Sequence, residues 1–446
     1  MATLDSSIVN IALSTLTRDL QTDLSHVKWI VVIYFLVITC LLLPVGQISD
    51  QIGHKRVFSW GFFAFTLGSL ACALSSTLLG LVVARAFQAL GAAMLMANGP
   101  AIITSTFPVR ERGAALGNLA MIVSLGLISG PGVGGFLIQK LGWQSVFLLN
   151  VPVGIIGMLV AFRFIEDDSP RSLRFNLDWV GSILQLIILV IVIVAMDPPD
   201  HPVLLQLQSR VLFWPVMVIA FLLGAIFIRW EAQSQAPVLD LTLLRNRTFW
   251  TANLSAFFMF TAYSGVAVLM PYLLEEALAT PTDRAGFLMT AIPVVILVTA
   301  PWSGRVSDWF GSREICILGT LIMTANLFWL AGSGGHGLRA DTEEIWIVLA
   351  LVLSGLGLGL FQSPNNNAIM GSVPRHKLAA SSAMMATVRN LGLVVGAGVA
   401  TGTFSFRLHQ GDTLIDAAHF TFFVAAILGL GATVSALGKT RGPHWK

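Results

Sequence analysis

The chain has 446 residues, of which only 11% are charged and 55% hydrophobic, with a mean hydropathy of +0.80. A soluble domain carries about a quarter charged residues, so most of this surface must face lipid, and a net charge of +3 spread over scattered Lys and Arg gives a nucleic-acid partner no support. Cys40, Cys72 and Cys316 all lie in apolar runs, which gives neither a disulfide framework nor a zinc site.

A bilayer core about 30 Å thick takes roughly 20 apolar residues per helix. On that scale a first span at the N-terminus is followed by spans near 27–49, 57–76, 78–106, 114–138 and 144–165. Two more lie near 177–196 and 211–229, and a last set near 249–272, 284–303, 314–332, 345–370, 379–404 and 419–437. The expected fold is all-α and membrane-integral, with fourteen transmembrane helices.

The first span is short, since Met1 to Leu16 covers about 24 Å at 1.5 Å per residue. The expectation is that the beginning of this helix is missing and that Asp5 belongs deeper in the membrane. The alternative is an interfacial helix with a solvated Asp5.

After span 2 comes the polar hairpin Gly46-Gln47-Ile48-Ser49-Asp50-Gln51-Ile52-Gly53-His54-Lys55-Arg56. After span 10 it returns as Gly304-Arg305-Val306-Ser307-Asp308-Trp309-Phe310-Gly311-Ser312-Arg313-Glu314, with Gly, Ser, Asp and Gly in register. A second echo, in the same order, runs from Leu125-Gly126-Leu127 with Gly130 and Gly132 to Leu391-Gly392-Leu393 with Gly396 and Gly398. The chain reads as a duplicated membrane protein, a common way to build an alternating-access transporter. Eight spans separate the copies, so two extra spans sit between two six-helix halves. The expected domains are 1–165 (first bundle), 166–248 (linker helices) and 249–446 (second bundle with a tail).

Asp50 can accept hydrogen bonds from a neighbouring helix N-terminus or pair with an Arg, and Gly46 and Gly53 permit a tight turn and close approach. Lys55, Arg56 and Asp308 complete the expected gating set; the competing reading is a solvated positive-inside loop. Arg85 in span 4 is costly unless it faces a cavity or partner, and Gln88 lies one turn away. Gly126, Gly130 and Gly134 share one helix face suited to close packing, beside Pro131 and Gly135. Asn98, Asn365, Asn366, Arg389 and Asn390 are candidate cavity residues with Gln88, although each can equally bond helix to helix. Asp178, Glu275 and Glu276 sit at span ends. Most of the 26 Lys and Arg residues fall in alternate loops that include the hairpins, which places those loops and both termini in the cytoplasm.

These residues resemble the fourteen-span drug:proton antiporter branch of the major facilitator superfamily over essentially the whole chain. Leu4 to Leu13 is similar to its first-span motif, with Ser14 where Pro is usual, and Gly46 to Arg56 to its loop motif. Arg85 to Gly91 resembles the span-4 motif with Ala89 for a usual Gly. Gly126, Gly130-Pro131 and Gly134-Gly135 resemble the antiporter motif. Trp143, Phe147 to Asn150 and Pro152 to Gly154 resemble the entry to span 6, with Gln144-Ser145 for the usual Arg-Trp. The resemblance implies proton-coupled export of amphipathic, cationic organic compounds across the cell membrane. Asp5 is then the proton carrier, Arg85 its modulator, and the Gly-Pro face a guard against leak.

No Gly-x-x-x-x-Gly-Lys-[Ser/Thr] loop is present, which argues against direct ATP use, and no cofactor, metal or enzymatic activity is expected. The expected partners are cargo, protons and the lipid bilayer. Some relatives use a periplasmic adaptor, which nothing in the sequence supports. The rivals are a same-fold exporter of one metabolite, antibiotic or siderophore, and a transport-inactive receptor or scaffold.

Overall fold

The structure is a computed structural model, and it describes residues 1–22, 24–27, 29–166, 178–196, 210–234, 237, 241–278, 280–332 and 344–439. Residues 167–177 and 197–209 of the expected linker, 440–446 of the expected tail, and the Pro131 side chain lie outside the described residues.

Among the described residues every regular element is helical, as lipid demands, because a helix satisfies its own backbone. Eleven helices there are long and apolar enough to cross a membrane. The first helix is not among them: α1 (Ala2–Asp19) carries Thr3, Asp5, Ser6 and Ser7 in its first turns. The first of the two extra helices shows a shorter apolar stretch, Trp179–Val192, among the described residues.

The chain divides into two compact units that are not contiguous segments. The first comprises Met1–Thr106, Gly126–Leu241 and Pro374–Thr387; the second comprises Phe107–Leu125, Thr242–Val373 and Val388–Lys446. Membership therefore changes inside two unbroken helices, α6 (Arg112–Leu141) and α16 (Leu378–His409).

The first unit holds α1, a short α2 (Leu24–Val27), α3 (Trp29–Ile52), α4 (His54–Leu74) and α5 (Leu78–Thr106). The second part of α6, a short α7 (Gln144–Leu148), α8 (Asn150–Phe164), α9 (Trp179–Met196), α10 (Arg210–Glu231) and the first part of α16 complete it. Small residues bring its helices to backbone contact. A Cβ on Gly68 of α4 would meet the Gln88 backbone, and one on Gly91 of α5 would meet that of Phe65. Ser and Thr return their hydroxyls to their own helix, as Ser69 does to the Phe65 carbonyl at 2.8 Å.

The second unit holds α11 (Arg247–Tyr272), a π-helical turn (Leu273–Ala277), α12 (Thr282–Met289) and α13 (Ala291–Phe310). It continues with α14 (Ser312–Leu330), α15 (Glu344–Gly371), the later part of α16 and α17 (Leu414–Leu437). Asn246 caps α11 through the N–H groups of Thr248 and Phe249. Met259, Met323, Leu327, Leu351, Phe361 and Phe422 form a continuous core. Gly319 and Gly357 let α14 and α15 approach closely.

Candidate functional site

Asp5 and Arg85 have no exposed surface. Arg85 Nη1 donates to Asp5 Oδ2 at 2.5 Å, and Arg85 Nε donates to the Ile30 carbonyl at 3.2 Å. The other carboxylate oxygen, Oδ1, accepts from Gln88 Nε2 at 3.0 Å and from Asn150 Nδ2 at 2.6 Å. Gln88 also accepts from Arg85 Nη1 at 2.7 Å and donates to Ser69 Oγ at 2.7 Å. The guanidinium carbon lies 4.0 Å from the Tyr34 ring centroid, and Arg85 Nη2 has no hydrogen-bond acceptor. Five elements thus converge on one ion pair: α1, α3, α4, α5 and the head of α8. A charged side chain at mid-bilayer costs roughly 2.5–3.5 kcal/mol on insertion scales. Pairing of the two charges with three donors on the carboxylate offsets that cost. The solvated-Asp5 alternative does not describe this residue.

The Gly126, Gly130 and Gly134 face of α6 packs on the helix that carries Asp5. Cβ atoms at Gly126, Gly130 and Gly134 would meet Leu4, Ser7 and Ile8 of α1, whereas Gly135 has open space beside it. Ser7 Oγ donates to the Leu127 carbonyl at 3.2 Å. That carbonyl lies four residues before Pro131, which has no N–H to offer it. The hydroxyl therefore serves the acceptor that proline leaves vacant.

The two hairpins have the same construction. Gly53 (φ +105°) separates α3 from α4, and Gly311 (φ +89°) separates α13 from α14, a backbone region that suits glycine. In the first unit, Asp50 accepts from the backbone N–H groups of Ala379 and Ala380 at 3.0 and 2.9 Å, in the first turn of α16. In the second, Asp308 accepts from those of Gly113 and Ala114 at 2.8 and 2.9 Å, in the first turn of α6. Each carboxylate sits at the positive end of a helix. Asp50 also contacts His54 Nε2 at 3.0 Å, and Asp308 accepts from Asn367 at 3.0 Å. Gly46 lies against Ala379 and Ala383, and Gly304 against Gly113. Lys55 is half-buried and Arg56 exposed.

The expected cavity residues separate into two groups. Asn98 is fully buried: its Oδ1 accepts from Ser49, and its Nδ2 donates to the Met94 carbonyl. Asn365 is fully buried too and accepts from Lys439 Nζ at 2.7 Å. Asn366, Arg389 and Asn390 keep accessible surface. Glu275 and Glu276 are exposed. Asp178 lies just before α9, outside the spans. Burial pushes its carboxyl up, but donors on Gly181, Ser234, Trp230 and Val180 outweigh that and hold it below the usual carboxylate range. No group of three His, Cys, Asp or Glu side chains suited to a metal occurs among the described residues.

Sequence reasoning quoted Asn150 only within the span-6 entry motif, without a role, and missed Ser69, Tyr34 and Lys439. Asn150 and Lys439 left one usable signal, a lone amide at the head of one apolar span and a lone amine at the foot of another. The Asn150 side chain meets a carboxylate 145 positions away, and no local pattern reports such a partner.

Comparison with known proteins places these features in a family. The Major Facilitator Superfamily profile matches residues 1–397, and a second match covers 252–446. Riboflavin transporter RibZ of Clostridioides difficile is 32% identical over 99% of this chain and 95% of its own. Multidrug export protein EmrB of Escherichia coli K12 is 25% identical over 91% of this chain and 78% of its own. The crystal structure of human MFSD10 covers 98% of this chain and 97% of its own, with a TM-score of 0.67 at 13% identity, a likeness of fold alone. The chain is a multi-pass membrane protein and belongs to the major facilitator superfamily.

Proposed function

We propose that this chain is a secondary active exporter that exchanges inward-moving protons for amphipathic organic compounds by alternating access. The observation that carries this reading is the buried Asp5–Arg85 pair, with Gln88 and Asn150 on the same carboxylate. A proton arriving on Asp5 turns one acceptor oxygen into an O–H donor and cancels the charge that holds Arg85. The network must then rearrange, which couples proton binding to a change of state. The antiporter-motif face of α6 packs on that same α1 and would feel the shift. Asp50 and Asp308, each seated on a helix N-terminus, act as latches that release between inward- and outward-open states.

The architecture in this reading is fourteen helices arranged six, two and six, with both termini cytoplasmic in the cell membrane. The domains are 1–165, 166–248 and 249–446. Relatives named for multidrug resistance or export favour a broad cargo range. The 32% identical riboflavin transporter favours the narrower alternative, export of one specific metabolite. A cationic cargo is implied by resemblance alone.

Proteoliposomes holding an imposed pH gradient and a pH-sensitive dye test the exchange. Cargo-triggered collapse of the gradient is the expected result, and Asp5→Asn is expected to abolish it while the protein still inserts. Unchanged proton flux in that variant removes Asp5 from the mechanism.

A further inference from the structure

We infer that Arg389, together with Asn253, forms a receptor in the second unit for an anionic group on the cargo. This rests on the exporter reading above and refines its substrate class from cationic to acidic or zwitterionic amphiphiles.

Arg389 lies within the membrane-crossing stretch of α16. It makes no ion pair, hydrogen bond or ring contact among the described residues. Its side chain is deep within the protein mass, yet the residue keeps accessible surface. The span therefore holds a partly accessible charge with no partner among the described residues. Positions 389, 392 and 396 share one stripe of α16, and Gly392 and Gly396 pack on α11 at Phe257, Phe260 and Thr261. Numbers rise together along the two helices at these contacts, so they run parallel. One turn before the Gly392–Phe257 contact, α16 presents Arg389 and α11 presents Asn253.

Asn253 is 2% exposed and equally incomplete. Its Nδ2 donates to the Phe249 carbonyl at 2.9 Å, but its Oδ1 has no donor. A guanidinium without an acceptor and an amide oxygen without a donor thus occupy the same level of one helix pair, and they are not bonded to each other. An unsatisfied cation in a span is expensive, and an unsatisfied buried acceptor costs about 1–3 kcal/mol. A cargo presenting a carboxylate, sulfonate or phosphate to Arg389, with an adjacent N–H or O–H for Asn253, satisfies both. A guanidinium also suits such planar acceptors better than an ammonium does.

The test uses naphthalenesulfonate and naphthyltrimethylammonium, which share an apolar body and differ in charge. Binding to the full chain in detergent and flux in pH-gradient proteoliposomes are both read, with inorganic sulfate as a third arm. The expected result is that the sulfonate binds and collapses the gradient, while Arg389→Gln weakens its binding about tenfold to a hundredfold, the range for one charged hydrogen bond. Arg389→Lys should recover part of that loss; Asn253→Ala should leave naphthalenesulfonate binding unchanged, because that probe offers no N–H or O–H, and should weaken binding of an aminonaphthalenesulfonate, which does. Preference for the ammonium, or undiminished sulfonate binding in Arg389→Gln, overturns the inference and leaves the exporter reading standing. Sulfate binding as tight as the sulfonate overturns it in favour of a small-anion site. Sulfonate binding lost in Arg389→Gln, with no gradient-driven flux by any probe, supports the receptor and sinks the exporter reading instead.

Discussion

Arg85 and Arg389 both stand well inside candidate membrane spans, and their surroundings are opposite. Arg85 is enclosed: Asp5 and Gln88 accept from its Nη1, the Ile30 carbonyl accepts from its Nε, and Tyr34 covers its face, with only Nη2 lacking an acceptor. Arg389 is open, with no protein partner among the described residues. The first charge is neutralised by the chain itself, so only a proton or a rearrangement can disturb it. The second waits for a counter-charge from outside the chain. In the proposed mechanism the difference separates two tasks that one Arg could not perform together, holding an acid in place and receiving a cargo.

The largest effects should come from breaking the closed pair. Asp5→Asn is expected to abolish gradient-driven flux, measured by dye quench. Arg85→Gln leaves a carboxylate buried without its counter-charge, which typically costs about 3–5 kcal/mol, and its thermal unfolding midpoint should fall steeply. The double variant Asp5→Asn/Arg85→Gln should regain part of that stability, because neither charge is left alone. Arg389→Gln should do the reverse, since it deletes a charge that has no partner. Its midpoint without cargo should stay unchanged or rise, and only cargo binding should suffer. A midpoint drop in Arg389→Gln as large as that of Arg85→Gln would end the comparison.

A smaller effect is expected at Asn150, whose amide helps hold Asp5 at 2.6 Å. Asn150→Ala should shift the pH midpoint of proton-coupled flux while leaving cargo affinity within about threefold. Asn150→Gln, which keeps the amide, should shift it less. A hydrogen bond to a charged group is worth about 1.5–3 kcal/mol, enough to move a titration visibly. A flux profile that does not move would reduce Asn150 to a packing role.

How much of this was legible in the sequence follows from the same contrast. Ionisable groups in spans are rare enough that Asp5, Arg85 and Arg389 stand out by composition alone. The duplicated hairpins stand out because Gly and Asp recur in register. Whether a span amide faces a cavity or a neighbouring helix is not written in its own helix. Asn98 and Asn366 look alike in sequence, yet Asn98 is buried between Ser49 and the Met94 carbonyl while Asn366 keeps accessible surface. Nor could hydropathy reveal that α6 and α16 each change unit partway along, since it marks where a helix crosses and not what it packs against.

The smallest expected effects belong to the proposed latches, where the two units repeat one design with different supporting groups. Asp50 is backed by His54 and Asp308 by Asn367. Asp→Asn at either site keeps the shape but removes the negative charge from a helix N-terminus, an interaction worth about 0.3–1 kcal/mol when exposed and up to about 2 kcal/mol when partly buried. Each variant should therefore change the balance of states by about twofold to thirtyfold. The neutral side chain also turns one acceptor into an NH2 group facing a backbone N–H. Accessibility labelling of single cysteines on each side of the membrane reads that balance without needing a known cargo. If the hairpins are equivalent latches, Asp50→Asn and Asp308→Asn should shift the labelling in the same direction and Asp50→Asn/Asp308→Asn should add their effects. Opposite shifts would mean that the two carboxylates hold different states, and that the repeated sequence serves two opposed roles.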